Sequence, residues 1–553
     1  MKKHSHGGEI ITRCLEEQGV ERLFCVPGES FLPVLDGLQQ SSIETVLARH
    51  EGGAAMMAEA EGKMTGRPGV AMVTRGPGAT NASSGIHIAQ QDSTPLIVLI
   101  GQVARGMKGR DAFQEVDYQA LFGGMAKHVA EVDDVSTLAE TITRGFEIAM
   151  SGRPGPVVIS LPEDMLYDET VLTIPARVTP AFPAPDTKTM AEVADRLKAA
   201  AAPIIIAGGP LWDAAAIAML AEAAERFDVP VACSFRRQRL MNSLHPRYAG
   251  DLGLGCNPKL LARIKESDLV VMVGGRLSEI PSQSYSLLDI PQPQMPLIHI
   301  HSDAAELGRV YTPTIGIETT PGQFLAALLE SAPAARQPLT ACPEHEAYRD
   351  WVDTVPDIPG AMNMAAVVHH LRDVLPPESI MTNGAGNYAT WLHRFYHFRD
   401  PLCQLAPTSG SMGYGIPAAV AAKARFPERP VIAFAGDGCF QMTMQELATA
   451  RQIGANIIVL VIDNGMYGTI RMHQEREFPG RNDHTGLINP DFVGIGKAMG
   501  FHAEKVEKTE AFAAAFDRCL NGGKPALLHL PIDPEAISPT TTLTRIRQAA
   551  LSS

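Results

Sequence analysis

Short apolar runs, most of them rich in β-branched residues, recur along nearly the whole chain. They are Val70–Thr74, Leu96–Ile100, Val157–Leu161, Ile204–Ala207, Leu269–Val273, Leu297–His301, Val431–Ala435, Ile457–Asp463 and Ala526–Pro531. Each has the length of a strand, and Ala-rich helical stretches separate them. Strands that are apolar on both faces and alternate with helices predict parallel sheets covered on each side. The predicted fold class is α/β, built from doubly wound parallel sheets. Two stretches break the rhythm, Thr173–Lys188 and Ser331–Pro359. Both are rich in Pro, Ala and polar residues and read as linkers. They divide the 553 residues into three predicted domains, 1–180, 181–335 and 355–553. Each is long enough for its own sheet and core.

Composition narrows the class of function. Hydrophobic residues make up 45% and charged residues 20%, which excludes a mainly disordered, collagenous or coiled-coil chain. A net charge of −14 argues against a protein that coats nucleic acid. The eight cysteines are scattered and form no C-x-x-C pair, so neither a disulfide framework nor a zinc site is expected. The opening Met1-Lys-Lys-His-Ser-His-Gly-Gly is polar and lacks the apolar core of a signal peptide. No apolar run approaches the ~20 residues needed to span a bilayer. The expectation is a soluble protein in the cytoplasm.

The richest stretch runs from Val431 to Gly468. A strand leads into Gly436-Asp437-Gly438, a helix passes through Gln445-Glu446-Leu447-Ala448, and a second strand ends at Asp463-Asn464-Gly465. Both polar clusters fall at the carboxyl ends of parallel strands, where open α/β sheets bind ligands. Asp437 offers an anionic oxygen and Asn464 a neutral one, a pairing suited to Mg²⁺ that also takes phosphate oxygens. The glycines permit close backbone approach, and a helix amino end favours negative charge. Gly-Asp-Gly alone reads equally well as a turn. The 27-residue interval from Asp437 to Asn464 is enough for one helix and a crossover to a neighbouring strand.

With that spacing, the chain resembles the thiamine diphosphate (ThDP) enzymes, whose signature is GDG followed by a terminal Asn. The resemblance assigns Mg²⁺ to the side chains of Asp437 and Asn464 and the backbone carbonyl of Met466. Gly436, Gly438, Cys439, Tyr467 and Gly468 join the cofactor site by the same match. Far upstream, Arg49-His50-Glu51-Gly52-Gly53-Ala54-Ala55-Met56-Met57-Ala58 is similar to the family element that carries the activating Glu. Read alone, Glu51 is a solvated acid at a helix start, favoured by the helix dipole. Val26-Pro27-Gly28, Gly76-Pro77-Gly78-Ala79-Thr80-Asn81 and Gly101-Gln102-Val103 match as well, placing Pro27 and Gly28 at the cofactor. Glu51 is thereby implied to share a proton with the aminopyrimidine ring, and the thiazolium ring to act as electron sink for a decarboxylating 2-oxo acid. Gly410-Ser411-Met412-Gly413-Tyr414-Gly415 looks like the family loop in which a carbonyl, here that of Gly410, accepts from the 4′-amino group. Met412 is then the wedge that bends the cofactor. Gly386, Asn387 and Tyr388 sit where the diphosphate is expected, although Asn387 and Tyr388 depart from the family residues. Resemblance further implies a homodimer or homotetramer with active sites at the subunit interface.

Within that family the chain is most similar to the large catalytic subunits of acetolactate (acetohydroxyacid) synthases. Asp111-Ala112-Phe113-Gln114-Glu115 matches their DAFQE element, which places Phe113 and Gln114 at the active-site entrance. Two departures bear on the product. Ile280 stands where the synthases carry the Arg that holds the acceptor 2-oxo acid, and Ile cannot form a bidentate pair with a carboxylate. His473 replaces their acceptor-selecting Trp. Arg75, Arg276 and His473 are the candidates to replace those functions. Each reads equally well as an ion pair or a satisfied polar group. Ala207-Gly208-Gly209-Pro210 and Val273-Gly274-Gly275-Arg276 are strand–glycine turns of the kind that cradle FAD, but tight helix–strand packing needs the same glycines.

The expected function is thus ThDP- and Mg²⁺-dependent decarboxylation of a pyruvate-like 2-oxo acid, followed by carboligation. A small regulatory subunit is an expected partner by the same resemblance, and nucleic acid and membrane are not. A flavin-dependent pyruvate oxidase or a simple 2-oxo acid decarboxylase is the alternative within the enzymes. A catalytically silent, nucleotide-binding regulatory subunit of the same fold is the alternative outside them, and Glu51 argues against it.

Overall fold

The structure, a computed structural model, describes residues 4–332 and 341–552. The domain limits at 1, 335 and 553 and the middle of the second linker, 333–340, lie outside the described residues. All nine apolar runs are strands, within one or two residues of their expected limits. They belong to three six-stranded sheets, and every neighbouring pair in these sheets is parallel. Counted in chain order within each sheet, the strands of the first and last sheets are arranged 2-1-3-4-6-5, and those of the central sheet 3-2-1-4-5-6.

Side-chain alternation explains why these strands are apolar on both faces. In the central sheet Ile204, Ile206, Val270 and Met272 enter one core, and Ile205, Ala207, Val271 and Val273 enter the core on the opposite face. The strands absent from the sequence reading are short and partly polar, such as Arg22–Cys25, Glu44–Leu47 and His128–Glu131.

By its contacts the chain forms two compact units. The first comprises 1–181 with 416–427 and 443–455, and holds the first sheet; the second comprises 182–415, 428–442 and 456–553, and holds the other two. The first linker is irregular up to Asp186, whose side chain caps the helix Thr187–Ala199 by accepting from Thr189 N at 2.8 Å. The second linker departs from expectation, because Pro343–Asp353 is a helix. Its Tyr348 and Val352 are buried in the central core and Trp351 packs against it, a short inner face set among charged residues.

One carboxylate ties three segments of the second unit together. Glu475, with a fully buried side chain, lies on the helix Gly468–Glu477. It accepts from Arg471 of its own helix (2.9 Å), from Gly480 N (3.2 Å) and Asn482 Nδ2 (3.0 Å), and from Arg547 Nε (2.7 Å) and Nη2 (2.6 Å). Arg547 belongs to the terminal helix Leu543–Ser552. Arg547 above all holds the acid down to about 2, against the opposing effect of burial. A depressed acid stabilises the fold above its ordinary value of 4.5, and that contribution is lost as pH falls towards 2. Glu475→Gln is therefore expected to cost about 2 kcal/mol at neutral pH, the scale of hydrogen bonds to a charged group. In urea unfolding, the gap from wild type should shrink between pH 4.5 and 2. A gap independent of pH contradicts the assignment.

Candidate active site

In a parallel sheet, a crevice opens where successive crossovers diverge to opposite sides, and ligands bind at its carboxyl edge. In the last sheet that point falls between Ile380–Asn383 and Val431–Gly436, and Ile458–Asp463 runs alongside. A cavity of about 250 Å³ occupies these strand ends. Four expected segments line it: Gly386, Asn387 and Tyr388; Gly410 and Met412; Gly436, Asp437, Gly438 and Cys439; and Asn464 with Met466, Tyr467 and Gly468.

Asp437 is only 3% exposed. Its Oδ2 accepts from Asn489 Nδ2 at 2.8 Å, and the same nitrogen donates to Asp463 Oδ1 at 2.8 Å. Burial, helped by the neighbouring Asp463, pushes Asp437 up to about 6. Burial also acts on Asp463, but His529 Nε2 at 2.8 Å and the Gly465 amide at 2.9 Å outweigh it and hold that acid below its ordinary value. A buried acid raised in this way is one that a cation would return to its charged form. Asn464 Oδ1 accepts from Met466 N at 3.3 Å, and Met466 pairs with Gly486 across an antiparallel bridge. The donor set (one carboxylate, one amide oxygen and a neighbouring carbonyl) fits a hard divalent cation.

The glycines serve packing as much as ligand approach. A Cβ on Gly436 would lie 2.7 Å from the Tyr388 ring, and one on Gly438 would lie 2.7 Å from the Tyr467 ring. Tyr388 and Asn387 were expected to donate to a diphosphate, yet both are engaged within the chain. The Tyr388 hydroxyl accepts from Gly384 N at 3.0 Å and contacts Cys439 Sγ at 3.1 Å. Asn387 accepts from Thr469 Oγ1 at 2.9 Å and donates to Met472 Sδ at 3.4 Å.

In the first unit the equivalent crevice lies between Arg22–Cys25 and Gly69–Val73. Pro27 and Gly28 follow the first of these strands, and Arg75 and Gly76 the second. Glu51 opens the helix Glu51–Thr65, half-buried, and accepts from Asn81 Nδ2 at 3.0 Å. Gln114 takes a left-handed backbone with φ 66°, and the Cβ that Gly76 lacks would come within 2.8 Å of it. Phe113 beside it is 77% exposed. Arg75 is 7% exposed and lies 2.8 Å from both Glu29 and Glu163, so its charge is already balanced within the unit. Sequence reasoning missed Glu446, which is fully buried, takes the Arg49 amide on both oxygens at 3.2 Å, and is raised by burial. It opens the short helix Glu446–Gln452, where an acid reads as an ordinary helix start.

The remaining candidates lie apart from the cavity lining. His473 is exposed on its helix beside Arg476 Nη1, at 3.4 Å. Arg276 is half-buried at the carboxyl end of Leu269–Val273 in the central sheet. There the two glycine turns close on each other: a Cβ on Gly209 would meet the Gly274 carbonyl at 1.8 Å. Trp212 Nε1 donates to the Gly208 carbonyl and His299 Nε2 to that of Gly275, both at 2.8 Å. These contacts give the glycines of both turns a packing role.

Comparison with known proteins places the chain in a family. Residues 5–121 match the family model of the thiamine pyrophosphate enzyme N-terminal TPP binding domain, 190–328 its central domain, and 384–530 its C-terminal TPP binding domain. The chain is 32% identical over 542 residues to the acetolactate synthase isozyme 2 large subunit of Escherichia coli K12, covering 96% of each. It is 31% identical over 547 residues to the isozyme 1 large subunit of that organism, covering 97% of this chain and 95% of the relative. It is 32% identical over 535 residues to the acetolactate synthase large subunit of Corynebacterium glutamicum, covering 93% and 84%. Three matched domains and full-length relatives lead to one conclusion: the chain belongs to the thiamine pyrophosphate enzyme family.

Proposed function

We propose that this chain decarboxylates a pyruvate-like 2-oxo acid and joins the acyl carbon to an acceptor, using ThDP and Mg²⁺. The observation that carries the reading is the buried Asp437 beside Asn464 at the reversal point of the last sheet. When bound, ThDP would supply an electron sink for the decarboxylation. Asp437, Asn464 and the Met466 carbonyl would hold the cation, and Gly436, Gly438, Cys439, Tyr467 and Gly468 would hold the cofactor's diphosphate end. The Gly410 carbonyl would accept from the cofactor's amino group, and Met412 would pack against it. Glu51 would hold a proton at the pyrimidine nitrogen, with Pro27 and Gly28 beside it. Gln114 and Phe113 stand at the entrance. FAD has no step in this reading.

The family resemblance supports a homodimer or homotetramer in which Glu51 of one copy serves the cavity of another. The relatives are named large subunits, and a small partner subunit for this chain rests on those names alone. Domain limits of 1–180, 181–335 and 355–553 are supported by one family match falling within each. Among the described residues no helix is long and apolar enough to cross a membrane. A cytoplasmic location rests on the scattered free cysteines.

A decarboxylase that releases a free aldehyde is the second reading. It is favoured by Ile280 at the acceptor-binding place and by Arg75, already paired with Glu29 and Glu163. A product panel with pyruvate decides between them: a coupled hydroxyketone or hydroxy-oxo acid supports ligation, and free aldehyde alone rejects it.

Two further outcomes are expected. Glu51→Gln should bind ThDP and Mg²⁺ as wild type does while carbon dioxide release falls about 10²-fold or more, the scale of acid–base catalysis. Equal turnover would remove Glu51 from the chemistry. Asp437, raised to about 6, should make magnesium-dependent ThDP retention fall away below that pH, because protons then displace the cation. Without cation, the raised acid costs the fold stability above pH 6, and this cost is relieved as pH falls towards the ordinary value of 3.8. Equilibrium dialysis across pH 5 to 8, with Asp437→Asn as the pH-insensitive comparison, measures this. Identical profiles for the two proteins contradict it.

A further inference from the structure

We propose that Asn489 is a positioning residue that sets the geometry of the cation site by bridging Asp437 and Asp463. The inference rests on the proposed cation site and goes beyond the residues that line it. One amide nitrogen has two hydrogens, and Asn489 Nδ2 gives one to each carboxylate, both at 2.8 Å. Which end of the amide faces the acids is fixed independently. Gln441 Nε2 donates to Asn489 Oδ1 at 3.0 Å and to the Asp437 carbonyl at 3.3 Å, so the oxygen points away from the carboxylates. With Oδ2 of Asp437 held by Asn489, its carboxylate cannot rotate freely against the cavity. Asp463 is held in turn by His529 and by Gly465 N, so the bridge runs from a fixed acid to the proposed ligand.

The backbone that carries Asn489 is itself fastened at both ends of the preceding loop. Glu475 binds Gly480 N and Asn482 Nδ2, and Gln474 Nε2 donates to the Asp483 carbonyl at 2.8 Å. Further on, Tyr467 N donates to Thr485 O at 2.9 Å, and Leu487 N donates to Gly465 O at 2.8 Å. The run 480–489 is thus laced to the same turn that supplies Asn464 and Met466, and it delivers one side chain onto Asp437. A neutral double donor is the group this place requires. A hydroxyl reaches only one acid, and an apolar side chain leaves two carboxylates facing each other without a hydrogen between them.

The cation's own preferences provide the test. Mg²⁺ demands near-ideal octahedral geometry, whereas Ca²⁺ tolerates irregular shells. In Asn489→Leu, ThDP uptake supported by Mg²⁺ should weaken ten- to a hundredfold, the usual effect of losing an outer partner of a metal ligand. Uptake supported by Ca²⁺ should change far less. Asn489→Ser, which keeps one donor, should fall between, and it carries the test if the Leu variant does not fold. Calorimetric titration of chelator-treated protein with ThDP at graded MgCl2 or CaCl2 gives both values, with thermal unfolding of the metal-free proteins as the check on folding. Unchanged Mg²⁺ dependence, or an equal fall with both cations, overturns the positioning role alone. Absence of magnesium-dependent uptake by the unaltered chain overturns the cofactor reading, and this role with it.

Discussion

A carboxylate buried beside another carboxylate is unfavourable unless something divides their charge, and Asp437 is in that position. Asn489 and the pull of His529 on Asp463 make the pair tolerable in the folded chain, but Asp437 stays raised to about 6. Asp437 is held out of water at a cavity that Asn464 also lines, an arrangement that a cation would complete on the proposed reading. The same strain that disfavours the bare site would become affinity for the proposed divalent ion.

The sheet order explains why this happens where it does. The first and last sheets share one topology, so each presents a crevice at the same place in its winding. In the last sheet the crevice carries Asp437 and glycine turns. In the first it carries Pro27, Gly28 and the Arg75 turn, with Glu51 at a nearby helix start. One architecture is used twice with different side chains, and on the proposed reading one copy would offer an acid for metal and the other an acid for a ring nitrogen. The central sheet is wound differently, and its glycine turns pack against each other instead.

Long strands buried on both faces were legible in the sequence because every position along them is apolar. Val431–Gly436 and Ile458–Asp463 could be placed nearly to the residue, and with them the turns that follow. Short strands such as His128–Glu131 were not, since partly exposed positions carry polar residues and break the run. The helix Pro343–Asp353 was hidden by its proline-rich setting and by the charged residues around its three inward side chains, Tyr348, Trp351 and Val352. Asn489 precedes a proline and reads as an ordinary turn residue; only the fold brings it to Asp437. Tyr388 and Arg75 were read from their chemistry as ligand contacts, and the fold adds partners distant in sequence, Cys439 for one and Glu163 for the other, that no motif marks.

The central claim is that a divalent cation seats on Asp437 and Asn464. Crystals grown with ThDP and Mn²⁺ in place of Mg²⁺, measured near the manganese edge, locate that ion directly. An anomalous peak within coordination distance of the Asp437 carboxylate, the Asn464 amide oxygen and the Met466 carbonyl is the expected result. A peak elsewhere, or ordered ThDP in the cavity with no metal at these three oxygens, contradicts the account.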